Sequence, residues 1–281
     1  MNRSFICASV FALILVVPAL AADDYDHSGA QKLGWKLALQ SWTVHKTAAD
    51  AMEVAQKIGV RYMAFYPGNT LAPGEKGGFG PGMTDEQVRK TLDFAKRCDV
   101  HILTFGSINI PNSEDGARKI FEWAKKMGIN PLLSEPADPK AMPLIDRLAG
   151  EYGIKVAIHN HPKPARYWDP AYVYSLVKDL EHVGFCADTG HWKRSGLDPV
   201  EVLRKYGHKV VSLDFKDLTG KGMHDVPWGT GDCRAAEMLA VLKEKGFQGP
   251  FCIEYEYTWD LPTLRKCAEF FHGEANRLTG K

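Results

Sequence analysis

The sequence has almost no net charge: 35 lysines and arginines stand against 34 aspartates and glutamates in 281 residues, a formal +1. A chain so balanced has no field with which to gather nucleic acid or an anionic membrane, so its partner is predicted to be a small molecule. It also lacks a disulfide framework. No C-x-x-C pair occurs, and once Cys7 is lost with the leader described below, the remaining Cys98, Cys186, Cys233, Cys252 and Cys267 are odd in number. Cys186 and Cys252 fall in apolar strand runs and read as small core residues. No apolar run reaches the roughly 20 residues of a membrane-spanning helix. The longest near the start, Phe5 to Val17, follows Arg3 and precedes Ala19-Leu20-Ala21, the pattern of a secretory signal peptide cleaved near Ala21. The expected organisation is therefore a signal peptide over 1–21, a tail over 22–34, and one domain over 35–281 that is exported to the periplasm or secreted, with no membrane contact after cleavage.

A further absence bears on the fold. A doubly wound open sheet usually carries a glycine-rich phosphate loop after its first strand, and "LALQSWTVHKT" has none. What is present is a short β-rich apolar run recurring along the chain with helical patterns between: "WKLALQSW", "RYMAFYPG", "HILTFGSI", "INPLLSEP", "KVAIHNHP", "VGFCADTGHW", "KVVSLDFKDL" and "PFCIEYEY". The intervening helices carry start signals, with Thr84 and Gln87 as a capping box, Ser113 before two acids, and Asp-Pro at 138–139, 169–170 and 198–199. Eight such units predict a single α/β domain, a (β/α)8 TIM barrel with its active site at the C-terminal ends of the strands. The Gly- and Pro-rich stretch 67–83 follows the second strand and is expected to be a lid over that mouth.

Residues two apart in a strand share a face. With His159, Asp188, Asp214 and Glu254 facing inward, Ala157, Cys186, Ser212 and Cys252 lie beneath them. Small residues below leave room at the mouth, and a ring of imidazole and carboxylates above is costly to bury without a cation or a hydrogen-bond network. These four are the predicted ligands of one divalent metal ion, Mn²⁺, Mg²⁺, Co²⁺ or Zn²⁺, with Glu135 a further carboxylate in the ring. His161, Lys216 and Glu256 sit one inward step above His159, Asp214 and Glu254 and are candidates for substrate contact or proton transfer. Asn160 is expected to anchor the strand end or a hydroxyl. His101, at the start of its strand, reads as structural, His182 and His208 as surface residues, and His45 as either a mouth or a loop residue.

The segments "VAIHNHP", "CADTGHW", "SLDFKDL" and "HDVPWGTGDCRAAEMLAVLKEKGFQGPFCIEYE" resemble the xylose isomerase-like TIM barrels known as sugar phosphate isomerases/epimerases, within the endonuclease IV-like superfamily. The resemblance implies a divalent ion held by strands five to eight and proton transfer next to a carbonyl through an enediolate. Family ligands at the four positions are commonly Glu, Asp, His and Glu, so His159 and Asp214 depart from the pattern by exchanging imidazole and carboxylate. The symmetric carboxylate pair of the family's epimerases is thereby lost, which leaves Glu254 or Glu135 as base and a histidine as acid. By the same resemblance His191 and His224 stand near metal or substrate, and Trp192, Trp228, Tyr257 and Trp259 are expected to stack on a sugar.

The function so implied is a metal-dependent sugar isomerase or epimerase. A lyase or hydratase acting on 3-keto-glycosides, and a non-catalytic sugar-binding barrel, are the alternatives. Export argues against a phosphorylated substrate. Repair of nucleic acid would need extra histidines on the second and third strands, which "YMAFYPG" and "ILTFGSI" do not supply at their ends.

Overall fold

The computed structural model describes residues 24–220 and 222–281; the predicted signal peptide lies outside them. Eight strands, β1 (Lys36–Gln40), β2 (Tyr62–Phe65), β3 (His101–Ile108), β4 (Leu132–Ser134), β5 (Val156–His159), β6 (Val183–Asp188), β7 (Val210–Phe215) and β8 (Pro250–Ile253), pair in parallel, and β8 closes on β1. Each falls within one of the eight apolar runs. The helices between them bury one stripe each. Glu114–Met127 turns Ala117, Ile120, Phe121, Ala124 and Met127 inward at three- and four-residue spacing. Thr84 and Gln87 form the predicted capping box, and Asp138, Asp169 and Asp198 each accept a hydrogen bond from the first turn they precede. Ser113 makes no such bond, and Thr47 forms an additional capping box with Asp50.

Part of the segment expected to be a tail is helical. Ser28–Leu33 lies against the C-terminal helix Leu261–Leu278, with the Gly29 N–H donating to Asn276 Oδ1 at 2.8 Å. The 67–83 stretch is packed down by its own side chains: Phe79 is buried and stacks on Phe65 at 4.3 Å, and the Thr70 and Leu71 carbonyls accept from the first turn of helix Ala48–Lys57. Such anchoring suits a fixed rim better than a free flap. All five cysteines among the described residues are buried free thiols, and no helix among those residues is long and apolar enough to cross a membrane.

Large apolar side chains fill the layer between barrel and helices. Inside, Ala38, Ala64, Leu103 and Cys252 form one small cluster and Leu133, Ala157 and Cys186 another. Small interior residues leave the upper barrel open to polar groups. The register there depends on an irregularity in β6 and β7: Phe185 pairs with Val210 but Cys186 with Ser212, which sets Asp188 level with Asp214. Gly184 permits this approach, since a Cβ there would lie 2.1 Å from the Lys209 carbonyl oxygen. Gly184→Ala is therefore expected to destabilise the fold by about 1–3 kcal/mol through overpacking against backbone, read as a lowered urea midpoint.

Candidate active site

The strand ends bring the predicted ring together. His159 Nε2 lies 3.3 Å from Asp214 Oδ2 and 3.9 Å from Asp188 Oδ2. Asp188 and Glu254 meet through a third residue: Lys216 Nζ is 2.5 Å from both Asp188 Oδ2 and Glu254 Oε2, and 3.8 Å from Glu256 Oε1. Lys216 was a sequence candidate for proton transfer to substrate. Its side chain is fully buried in the wall of the site, against Asp188 and Glu254. The fold makes room for it at Gly190, where a Cβ would meet the lysine stem at 2.6 and 2.9 Å. Its backbone is tied as well, with the Lys216 N–H donating to Thr189 Oγ1 at 2.8 Å and that hydroxyl donating to the Lys216 carbonyl at 2.9 Å.

A second chain of contacts starts at the open mouth. His161 is half exposed, and its Nδ1 is 2.6 Å from Glu135 Oε1. The same oxygen accepts from Ser107 Oγ at 2.8 Å and lies 3.1 Å from His159 Nδ1. A path of hydrogen-bonded groups thus runs from His161 through Glu135 and His159 to Asp214. Ser107 follows Gly106, whose Cβ would sit 2.2 Å from the Leu133 carbonyl oxygen, so a glycine is required where β3 closes on β4. Asn160 does anchor the strand end: its amide donates to the Asp188 carbonyl and its carbonyl accepts from the Asp188 N–H, both at 3.0 Å.

These contacts set the protonation states. Burial opposes the charge on His159, but Asp214 and Glu135 outweigh it and raise the imidazole to about 10. Burial would also raise Glu135, yet the hydrogen bonds from His159 and His161 hold it well below the usual carboxylate range. Asp188 is held low in the same way, against its burial, by the positive charges of Lys216 and His159. Burial lowers His191 to about 3 despite Asp188, so this ring is neutral, with Nε2 3.3 Å from Asp188 Oδ2. Glu254 goes the other way: burial, only partly offset by Lys216, and its neighbours Asp214 and Asp188 raise it to about 8.

Around the mouth the sequence missed several residues. Arg194 reaches Glu256 and Asp225, and Asp225 Oδ2 also accepts from the Glu256 N–H at 3.1 Å. Asp217 collects the N–H groups of Gly229, Gly231 and Cys233 at 2.9–3.0 Å and so fixes the V-P-W-G-T-G loop. Charge at 194 and 225 and the K-D dipeptide were the available signals. Two predicted sugar-stacking residues are corrected: Trp192 and Trp228 are 1% and 3% exposed in the core, with Trp228 set edge-on to Phe215. Trp259 is partly buried and donates to the Thr43 carbonyl. The available aromatic faces are Tyr257, stacked on His224 at 4.2 Å, and Trp42, flanked by His45 and Tyr66. His191 is buried in the wall. A cleft of about 420 Å³ lined by Trp35, Tyr62 and His101 opens at the other end of the barrel, away from this chemistry.

Among the described residues, three sets of ligand atoms lie close enough to hold an ion, namely Glu135, His159 and His161; His159, Cys186 and Asp214; and His159, Asp188 and Glu254. All three draw on His159, whose two ring nitrogens each face a carboxylate. Asp214 Oδ1 is buried without a partner and could supply one ligand. Asp188 and Glu254, however, converge on the Lys216 ammonium. The four predicted ligands, His159, Asp188, Asp214 and Glu254, converge as expected, with Lys216 Nζ standing between two of them.

A family model described as xylose isomerase-like TIM barrel matches residues 86–272. An inosose dehydratase of Clostridium botulinum is 27% identical over 131 residues, covering 40% of this chain and 44% of that protein, so the chain spans less than half of that relative's length. A structure of an uncharacterised protein from Parabacteroides distasonis superposes with a TM-score of 0.68 at 29% identity, over 85% of this chain and 98% of the other. A D-tagatose 3-epimerase-like protein superposes with a TM-score of 0.66 at 19% identity, over 87% and 98%.

The raised groups fix the sign of the pH dependence. His159, ordinarily near 6.5 and here about 10, contributes stability that is complete below pH 6.5 and lost as pH rises toward 10. Glu254, raised from 4.5 to about 8, adds a loss over that lower window. The urea midpoint of the parent is expected to fall between pH 6.5 and 10, and His159→Gln to flatten that fall; an equal slope in both would contradict the assignment.

Proposed function

The chain belongs to the xylose isomerase-like TIM barrel family, and from that premise we propose that it is an enzyme acting on a small carbohydrate, moving a proton on the carbon next to a carbonyl. The observation that carries this reading is the placement of two acid–base groups across the mouth. Glu135 directly follows β4 and Glu254 directly follows β8, strands that stand opposite one another in the closed order of eight.

Glu254 is the base. Burial among other carboxylates brings it to about 8, close to a working pH, where proton transfer is most effective. Lys216 and Asp188 are positioning residues that hold its carboxylate at the strand end. His161, half exposed and backed by Glu135, is the acid on the far side. In an isomerisation Glu254 removes the proton from the hydroxyl-bearing carbon beside the carbonyl while His161 protonates the carbonyl oxygen; the enediol then gives its other hydroxyl proton to the imidazole as Glu254 returns its proton to the former carbonyl carbon. Tyr257, His224 and Trp42 offer faces to the sugar ring, and Glu256, fixed by Arg194, accepts from its hydroxyls.

The asymmetry of the site favours a second reading, a dehydratase. With a carboxylate on one side and an imidazole on the other, Glu254 takes the proton next to the carbonyl, His161 protonates the hydroxyl one carbon further on, the C–O bond breaks and water leaves. Similarity to an inosose dehydratase supports this alternative. The N-terminal Arg3, apolar run and Ala19-Leu20-Ala21 support action outside the cytoplasm, on free keto-sugars or 3-keto-glycosides.

Incubation with keto-sugars, 3-keto-glycosides and keto-polyols in deuterated water tests the reading. Uptake of deuterium without change of composition indicates isomerase or epimerase action, and loss of water indicates the dehydratase. Glu254→Gln is expected to lower turnover by about 10²–10⁴-fold with substrate affinity retained. A parent that binds such a compound yet exchanges no proton in it would sink the proposal.

A further inference from the structure

We infer that Lys216 is a built-in cation occupying the position between Asp188 and Glu254 that a divalent ion would take, so that this barrel holds its carboxylates together without metal. The inference shares the site with the reading above but stands on the placement of Lys216 alone, and metal content separates the two.

The geometry is specific. Nζ is 2.5 Å from one oxygen of each carboxylate. A divalent ion ligated by the same two oxygens would lie about 2.0–2.6 Å from each, in the volume that Nζ fills. Ion and ammonium cannot both be there. Nor is the lysine a flexible surface chain that swung in. Its stem passes Gly190 so closely that a methyl group would collide with two of its carbons, and its backbone is locked through Thr189. The neighbouring changes agree with this. His159 presents its ring between Asp214 and Glu135, a carboxylate oxygen facing each nitrogen. Asp188 is further committed through Oδ1 to the His191 N–H at 2.7 Å.

A tethered ammonium differs from an ion in what it can do. It is surrounded by protein and cannot coordinate a substrate oxygen, so its role is to fix Glu254 and Asp188. The prediction is that chelators leave the protein unaltered.

The test is ion content. The full chain is treated with chelator, equilibrated by dialysis against Mn²⁺ or Zn²⁺, and analysed by mass spectrometry, with thermal unfolding followed in the same samples. The expected result is that the parent keeps well under one ion per chain and shows no shift in its unfolding temperature, whereas Lys216→Met, which frees both carboxylates, gains metal binding. A parent that holds a single ion per chain, lost in Asp188→Asn, would overturn the inference. The parent measurement decides the matter even where Lys216→Met does not fold.

Discussion

The Lys216 ammonium between Asp188 and Glu254 is the interaction on which the upper barrel depends. Taking three charges out of water costs several kcal/mol for each, and only short, complementary contacts offset it. Here β6, β7 and β8 each contribute one member, so the triad cross-links three consecutive strands at their C-terminal ends. Removing one partner from such an arrangement typically costs about 3–5 kcal/mol, because the others are left buried and unpaired. The small residues beneath and Gly190 beside it are consequences of the same constraint: the space belongs to the lysine.

The rest of the site extends from that triad. Asp188 is held on one side by Asn160 and on the other caps the helix Thr189–Arg194, which in turn brings His191 and Arg194 to the mouth. Arg194 then fixes Glu256 and Asp225, and Asp225 belongs to the short hairpin that follows β7. On the opposite side Glu135 gathers Ser107, His159 and His161 on one oxygen. The result is two electrostatic systems: a closed one in which a buried ammonium bridges two carboxylates, and an open one in which a half-exposed imidazole faces solvent. On the proposed reading a substrate meets His161 of the open system, Glu254 at the border of the closed one, and the rim residues Glu256, Tyr257, His224 and Trp42.

Much of this was legible in the chain itself. The eight strands follow from apolar runs bounded by turn and cap signals, because a strand covered on both faces must be apolar throughout. The convergence of His159, Asp188, Asp214 and Glu254 follows from the two-residue period, which fixes the face of every side chain once one is placed. Ser107, Arg194, Asp217 and Asp225 were not legible as site residues. Each acts through a contact with a residue far along the chain, and nothing local distinguishes it from an ordinary loop residue. Trp192 and Trp228 misled for the opposite reason. An aromatic beside a motif has the same sequence signature whether its ring faces the mouth or the core.

By itself, the sequence determined the barrel, the end of it that carries chemistry and the four ionisable groups that meet there, since period and patterning act within a few residues. Tertiary structure alone decided what those groups do to one another. A lysine two residues beyond Asp214 reads as another mouth residue until Gly190, on the preceding strand's helix, is seen to leave a channel for its stem. Whether a ring of carboxylates encloses an ion or an ammonium depends on distances of a few ångströms between strands distant in the chain, and no spacing within one strand records them.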